Sequence, residues 1–433
     1  MRPRRLLHIL RTDFRADTER GRMMRSAGVT AVLKIGGTFI AFGASLVYAR
    51  ALEPHGYGLY AYVIAWAAML TIPAGLGLPA YLVREGAKAS GSLRWLFKWA
   101  GKRMLVSGFF SGILLACAVL LPQAAGARWL FVIAAPLPLL NNLNSVQRSL
   151  LQARGWIARA QWPMLIFGPA LMLMALTALW LWRGSLDPVE LVAAMTCSAL
   201  LPLGINHIQL RRATSRSGAG EPASVRVRAA LPFMWLGMLY LLNNRTDLIM
   251  LGTLRGAHDA GIYAVAARAG ELVTFFLLAA NMVLAPRVAR LYQEGDIALL
   301  QRLLSAATRR VFLFSAPLAV LFIVAAHPLL NYLYGAAYSD GAIALQILAG
   351  AQLVNVLAGS TGTVLNMTGH ERLSMWGVGL SVVLNVVLNA TLIPFYGIAG
   401  AAIATATSLV AWNILLWYWI RRHLHLRPSA FGL

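Results

Sequence analysis

Five ionisable side chains stand inside stretches that are otherwise apolar: Lys34, Arg245, Asp247, Arg268 and Glu271. If these stretches cross a membrane, a charge at mid-depth costs at least about 2.5–3.5 kcal/mol, so it is kept for a cavity, a partner or a substrate. Arg245 and Arg268 lie on consecutive stretches joined by a short turn, each about 10–13 Å from it at helical rise. Asp247 is at a depth to pair with Arg268, and Glu271 reaches Arg268 within one helix at i, i+3. Three cations against two acids leave one positive charge over, which favours an anionic ligand such as a phosphate, whose oxygens match a guanidinium fork. The competing reading is structural: Asp247, Arg268 and Glu271 lock two helices together. Lys34, about 10 Å from the nearer end of its stretch, then snorkels to headgroups.

Amides recur in the same stretches, at Asn141, Asn142, Asn144, Asn243, Asn244, Asn281, Asn355, Asn385 and Asn389. They suit sugar hydroxyls, but most are expected to bond helix to helix. No Walker loop, HExxH motif or nucleophile elbow is present, so no catalytic residue is assigned and an ATP-driven pump in this chain is excluded. Cys117 and Cys197, the two cysteines, each fall in an apolar block and read as small buried hydrophobes. They supply no disulfide framework or zinc site, and no metal or other cofactor is expected.

The elements that must position the five charges are membrane helices. Of 433 residues, 59% are hydrophobic and only 12% charged, against about 45–50% and about 25% in soluble domains, which rules out an ordinary soluble enzyme. The apolar residues fall in blocks of about 20, long enough to cross a hydrocarbon core of about 30 Å. Twelve spans are expected, at 27–49, 57–79, 104–121, 128–147, 162–182, 188–209, 229–252, 259–284, 311–329, 341–366, 374–394 and 397–420.

The net charge of +23 is segregated rather than spread. Thirty-one of the 38 Lys and Arg fall in the first 26 residues, the even-numbered connections and the C-terminus, whereas the odd connections hold only Arg50, Arg128, Arg183 and Arg255. The positive-inside rule then puts both termini in the cytoplasm. The basicity answers to anionic headgroups, so no nucleic-acid partner is called for. Residues 1–26, with eight Arg, read as a retained basic tail rather than a signal peptide.

The chain also repeats itself. A shift of 203 superimposes Gly58, Tyr60, Ala61, Thr71 and Arg84 on Gly261, Tyr263, Ala264, Thr274 and Arg287. A shift of 214 does so for Leu151, Gly155 and Trp162 with Leu365, Gly369 and Trp376, and one of 207 for Lys102 and Arg103 with Arg309 and Arg310. This pattern predicts an all-α protein with two six-helix lobes, 27–210 and 229–420, around a central cleft. A basic linker, 211–228, joins the lobes and a second cytoplasmic tail, 421–433, ends the chain.

Two runs carry a resemblance. RALEPHGYGLYAYVIAWAAMLTIPAGLGLPAYLVREGAK, from Arg50 to Lys88, and NNRTDLIMLGTLRGAHDAGIYAVAARAGELV, from Asn243 to Val273, with the GHERL turn from Gly369 to Leu373, resemble bacterial Wzx-type polysaccharide-biosynthesis flippases of the multidrug/oligosaccharidyl-lipid/polysaccharide exporter superfamily. The resemblance implies an inner-membrane transporter, not an enzyme, moving a polyprenyl-pyrophosphate-linked oligosaccharide between leaflets. It implies partners among membrane lipids, glycosyltransferases and a polysaccharide polymerase. It also implies cleft cations on the first, seventh and eighth helices, where Lys34, Arg245 and Arg268 stand, with Asp247 and Glu271 as charge partners or coupling groups. An ion-coupled drug or cation antiporter of the same superfamily, and a membrane-embedded enzyme acting on lipid-linked sugars, are the alternatives.

Overall fold

A computed structural model describes residues 19–88, 93–118, 126–214 and 226–430. Most of the 1–26 tail and of the 211–228 linker therefore lies outside the described residues. Within them the chain is helix and turn with no strand, as it must be where hydrocarbon offers the backbone no hydrogen-bond partner. The helices are α1 (Glu19–Ala74), α2 (Leu78–Lys88), α3 (Leu93–Cys117), α4 (Arg128–Ala134), α5 (Leu137–Ala153), α6 (Ile157–Trp162), α7 (Gly168–Arg183), α8 (Pro188–Ser198) and α9 (Leu200–Thr214) in a first lobe. The second lobe holds α10 (Leu231–Leu254), α11 (Ala257–Glu271), α12 (Phe275–Gln293), α13 (Ile297–Val324), α14 (Ala326–Tyr334), α15 (Ala342–Ala358), α16 (Thr361–Met367) and α17 (Glu371–Leu424).

Nine of the described segments are long and apolar enough to span a membrane, rather than the twelve separate spans expected. Two of the nine are helices run together across a kink, α1 at Glu53 and α17 at Gly397. The polar run Asn243 to Asp247 accounts for the omission of α10 from the nine, since it dilutes an otherwise apolar helix. Cys117 and Cys197 are exposed rather than buried, on faces turned outward from the bundle. An apolar block in lipid has no need to hide its thiols inside.

The lobes close on each other at one end. A Cβ on Gly58 would lie 1.7 Å from Ala257 O and one on Gly261 1.9 Å from Pro54 O, so two glycines matched by the 203 shift let α1 and α11 touch backbone to backbone. Around this contact Tyr48, Tyr57, Tyr263, Tyr334 and Tyr338 belong to a single apolar core drawn from both lobes. Tyr338 donates to Ala49 O at 2.8 Å and Arg50 donates to Tyr332 O.

At the opposite, cation-rich end the core divides. Leu82, Leu96, Leu150 and Leu210 centre one cluster in the first lobe, which among the described residues reaches the second lobe only through Ala230 and Phe233. Val288, Leu304, Leu416 and Ile420 centre a separate cluster confined to the second lobe. The two repeat-related helices follow this division. From 28 to 43 in α1 and from 231 to 245 in α10 no residue is buried, whereas Ala44, Tyr48, Asp247 and Leu251 beyond are.

Candidate functional site

Between the lobes, on the side of the closed end, lies a cavity of about 480 Å³. The second lobe's wall begins where Asn243, Asn244, Arg245 and Asp247 interrupt α10. Its next helix presents Ala264, Ala267, Arg268 and Glu271 on one stripe, at helical i, i+3 and i+4 steps, and the two alanines leave room for the charged pair to extend. Gln352 of α15 and Thr405 of α17 complete it. The first lobe's wall is Tyr57, Tyr60, Asn141 and Asn144 with Met164, Met172 and Met195.

The structure thus brings Arg245, Asp247, Arg268 and Glu271 into one cavity, but not with the pairing expected for Asp247. Arg268 Nη1 meets Glu271 Oε2 at 3.2 Å, both side chains remaining open to the cavity. Asp247 turns away from Arg268: Oδ2 accepts from the Tyr263 hydroxyl and, at 3.1 Å, from Thr405 Oγ1, while Oδ1 accepts from Leu248 N at 2.8 Å. Equal depth on neighbouring helices does not specify azimuth, and Asp247 is buried, 7% exposed, with its carboxylate bonded to side chains of α11 and α17.

Lys34 does not line the cavity. It is exposed on α1, seven residues and so about 10 Å along the axis from Ala41, where the lining begins. The surplus cation counted from the sequence is therefore the one outside, and the cavity itself holds two bases and two acids. Position restores the asymmetry: Glu271 is committed to Arg268 and Asp247 to two hydroxyls, while Arg245 is exposed and has no carboxylate partner among the described residues.

Four of the nine amides bond one helix segment to another. Asn142 donates to Thr71 O and Pro138 O, both at 2.9 Å, and Asn144 to Ala199 O at 2.8 Å. Asn385 reaches Ser408 at 3.2 Å and Thr405 at 3.4 Å, and Ser381 donates to Asn243 at 2.9 Å. A polar ladder thus runs from Asp247 across α17 and back to α10. The Oδ1 of Asn144, buried and without a partner, is one acceptor the cavity wall leaves unused. Neither Tyr263 nor Thr405 carries a functional signal in the sequence; Tyr263 is visible there only as the repeat mate of Tyr60.

The fold is a two-lobed bundle of membrane helices with charged side chains in the cavity at the seam. A model of the polysaccharide biosynthesis protein family matches residues 23–292, well over half the chain, and the protein belongs to that family. A second family model, MatE, matches residues 217–391. Over 172 residues the chain is 27% identical to a probable low-salt glycan biosynthesis flippase of Haloferax volcanii, a match covering 39% of this chain and 36% of that protein. The chain spans under two fifths of the length of the first curated relatives it matches.

The fold is that of two solved transporters. An inward-facing multidrug resistance MATE family transporter superimposes with a TM-score of 0.70 at 14% identity, covering 91% of this chain and 98% of its own. The lipid II flippase MurJ, in an inward closed conformation, gives 0.70 at 13% identity over 92% and 87%.

Proposed function

We propose that the protein is a flippase for a polyprenyl-diphosphate-linked oligosaccharide, carrying it from the cytoplasmic to the outer leaflet of a bacterial inner membrane for surface polysaccharide synthesis. The observation that carries this reading is Arg245, an exposed guanidinium without a carboxylate partner among the described residues, at the seam of two lobes. A glycan cannot cross hydrocarbon unaided, because each hydroxyl stripped of water without a new partner costs several kcal/mol, roughly 4–8 into alkane. A wet seam removes that penalty while the polyprenyl chain stays in lipid. Arg245 takes the diphosphate, Arg268 joins it when Glu271 yields, and Lys34 meets it on the way in. The cation-rich end, where α17 finishes, faces the cytoplasm by the positive-inside rule.

Binding and release of the same molecule require no bond to form or break, so the reading is of a transporter and not an enzyme. Glycosyltransferases supply the cargo and a polymerase consumes it. The experiment is a proteoliposome assay with labelled lipid-linked sugar: the cargo changes leaflet at constant mass, and Arg245→Gln abolishes the change. Unchanged transport in Arg245→Gln, or a product of altered mass, rejects the proposal. Asp247 favours one second reading, an ion-coupled antiporter, since a buried carboxylate among Tyr263 and Thr405 is a place for a coupling cation. A gradient-driven drug flux lost in Asp247→Asn but kept in Arg245→Gln would select it.

A further inference from the structure

A second basic site lies away from the cleft. At the cation-rich end of the first lobe, Arg94, Phe97 and Lys98 of α3 face His207, Leu210, Arg211 and Thr214 of α9 across a groove of about 530 Å³, which shares no lining residue with the central cavity. Arg94 and Lys98 are one helical turn apart, as are His207 and Arg211, so two basic stripes oppose each other. Among the described residues no carboxylate lines the groove and none of the four basic side chains has an acidic partner. The floor is apolar, with the Phe97 ring 5.9 Å from the His207 ring and Leu210 buried.

Arg94 lies in the first turn of α3, which carries no acid. A cation there opposes the positive end of the helix dipole, a cost that an anion bound beside it offsets. Trp95 and Trp99 stack on the neighbouring face of the same turns, and Arg103 lies 4.0 Å over the Trp99 ring. Paired indoles of this kind mark headgroup depth.

The matching place in the second lobe shows what such a groove requires. The shift of 207 that superimposes Lys102 and Arg103 on Arg309 and Arg310 puts Arg94 on Gln301 and Lys98 on Ser305. There the chain's own end lies along α13. Gln301 both donates to Arg427 O and accepts from Arg427 N at 2.7 Å, and Thr308 donates to Pro428 O at 2.9 Å. At the two positions that carry Arg94 and Lys98 in the first lobe, the second lobe carries Gln301 and Ser305, which hold backbone.

We propose that the α3/α9 groove is a binding site for the phosphate headgroup of an anionic phospholipid, the acyl chains running down over Phe97 and Leu210. This lipid site is independent of the cargo of the central cavity. The ligand is a resident lipid rather than free phosphate, because the groove sits at headgroup depth beside the two indoles and has an apolar floor.

The test uses the full-length protein, delipidated in detergent and titrated with phosphatidylglycerol, phosphatidylcholine or glycerol 3-phosphate, with bound lipid counted by native mass spectrometry. The triple variant Arg94→Gln, Lys98→Gln, Arg211→Gln is expected to bind phosphatidylglycerol about a hundredfold more weakly, and each single variant about fivefold, at about 1 kcal/mol per cation. Phosphatidylcholine gives no saturable site in either. A control triple, Arg302→Gln, Arg310→Gln, Arg372→Gln, removes the same charge from the same end and keeps wild-type binding. Equal losses in the two triples, wild-type binding in the site variants, or displacement of the lipid by equimolar glycerol 3-phosphate overturns the proposal. The single variants change exposed side chains and keep the test open should the triple fail to fold.

Discussion

The two walls of the central cavity are copies of one design with opposite chemistry. The backbone frame is shared: Gly58 and Gly261 make the lobe contact, Tyr60 and Tyr263 stand above the cavity, and both copies lose their buried positions toward the cation-rich end. Yet all four charged groups lie in the second lobe. By the 203 shift, Arg245, Asp247, Arg268 and Glu271 correspond to Phe42, Ala44, Ala65 and Ala68. Even the paired tyrosines differ, Tyr60 pointing its hydroxyl at Met195 Sδ at 3.5 Å and Tyr263 at the Asp247 carboxylate. The repeat preserved the contact that lets two lobes meet and left the chemistry to one of them. A ligand therefore meets a polarised cleft, with methionines and aromatics on one side and ions on the other.

The largest expected effect breaks the shared frame. Gly58→Val and Gly261→Val each put carbon into a backbone carbonyl of the opposite lobe, and overpacking of this kind costs about 3 kcal/mol. Thermal unfolding in detergent should show a large loss for both and a small one for Gly43→Val, whose Cβ meets nothing within 4 Å. Similar losses at all three positions would deny that the glycine contact is what joins the lobes.

Next comes the charge asymmetry. Removing a charged hydrogen-bonding partner costs about 1.5–3 kcal/mol, so Arg245→Gln is expected to lower lipid-linked sugar binding by about ten- to a hundredfold. The repeat mate's change, Phe42→Leu, should leave binding within about twofold, since it exchanges one apolar side chain for another and touches no charge. The tyrosines sharpen the same point. Tyr263→Phe strips a donor from a buried carboxylate and should destabilise by about 1–3 kcal/mol, whereas Tyr60→Phe gives up only a thioether contact. Equal Tm shifts for the two would mean that the lobes are not chemically distinct at this position.

Ions in hydrocarbon are rare enough to be conspicuous in a sequence, so four of the five charges picked out by their apolar surroundings do face the cavity. Lys34 does not, because depth along a helix says nothing about how far the cavity extends, and α1 has no buried position among residues 28–43. One partner of Asp247 is out of reach of sequence reasoning for another reason. Thr405 lies 158 residues away on α17, and no local periodicity links the two. The glycine pair is visible as a repeat, but only coordinates reveal that the two copies touch each other rather than serving separate turns.

The smallest effect concerns the joint beside that contact. Glu53 breaks α1 at φ 56, ψ 172, and its repeat mate Gly256 takes φ 95, ψ 177 before α11. Both occupy a region that only glycine enters without strain, and a side chain there costs about 1–3 kcal/mol. Pro54 explains the ψ of Glu53, since a residue before proline is driven to extended ψ, but it does not relieve the φ. Glu53→Gly is therefore expected to stabilise the protein by about 1 kcal/mol after the extra flexibility of the unfolded glycine is subtracted, and so to raise Tm, and Gly256→Ala to destabilise it by a similar amount. Opposite signs at two equivalent positions would show that the strain belongs to the shared backbone. Equal signs would mean that Glu53 is held by contacts of its own, and that the frame differs between the lobes as much as the charges do.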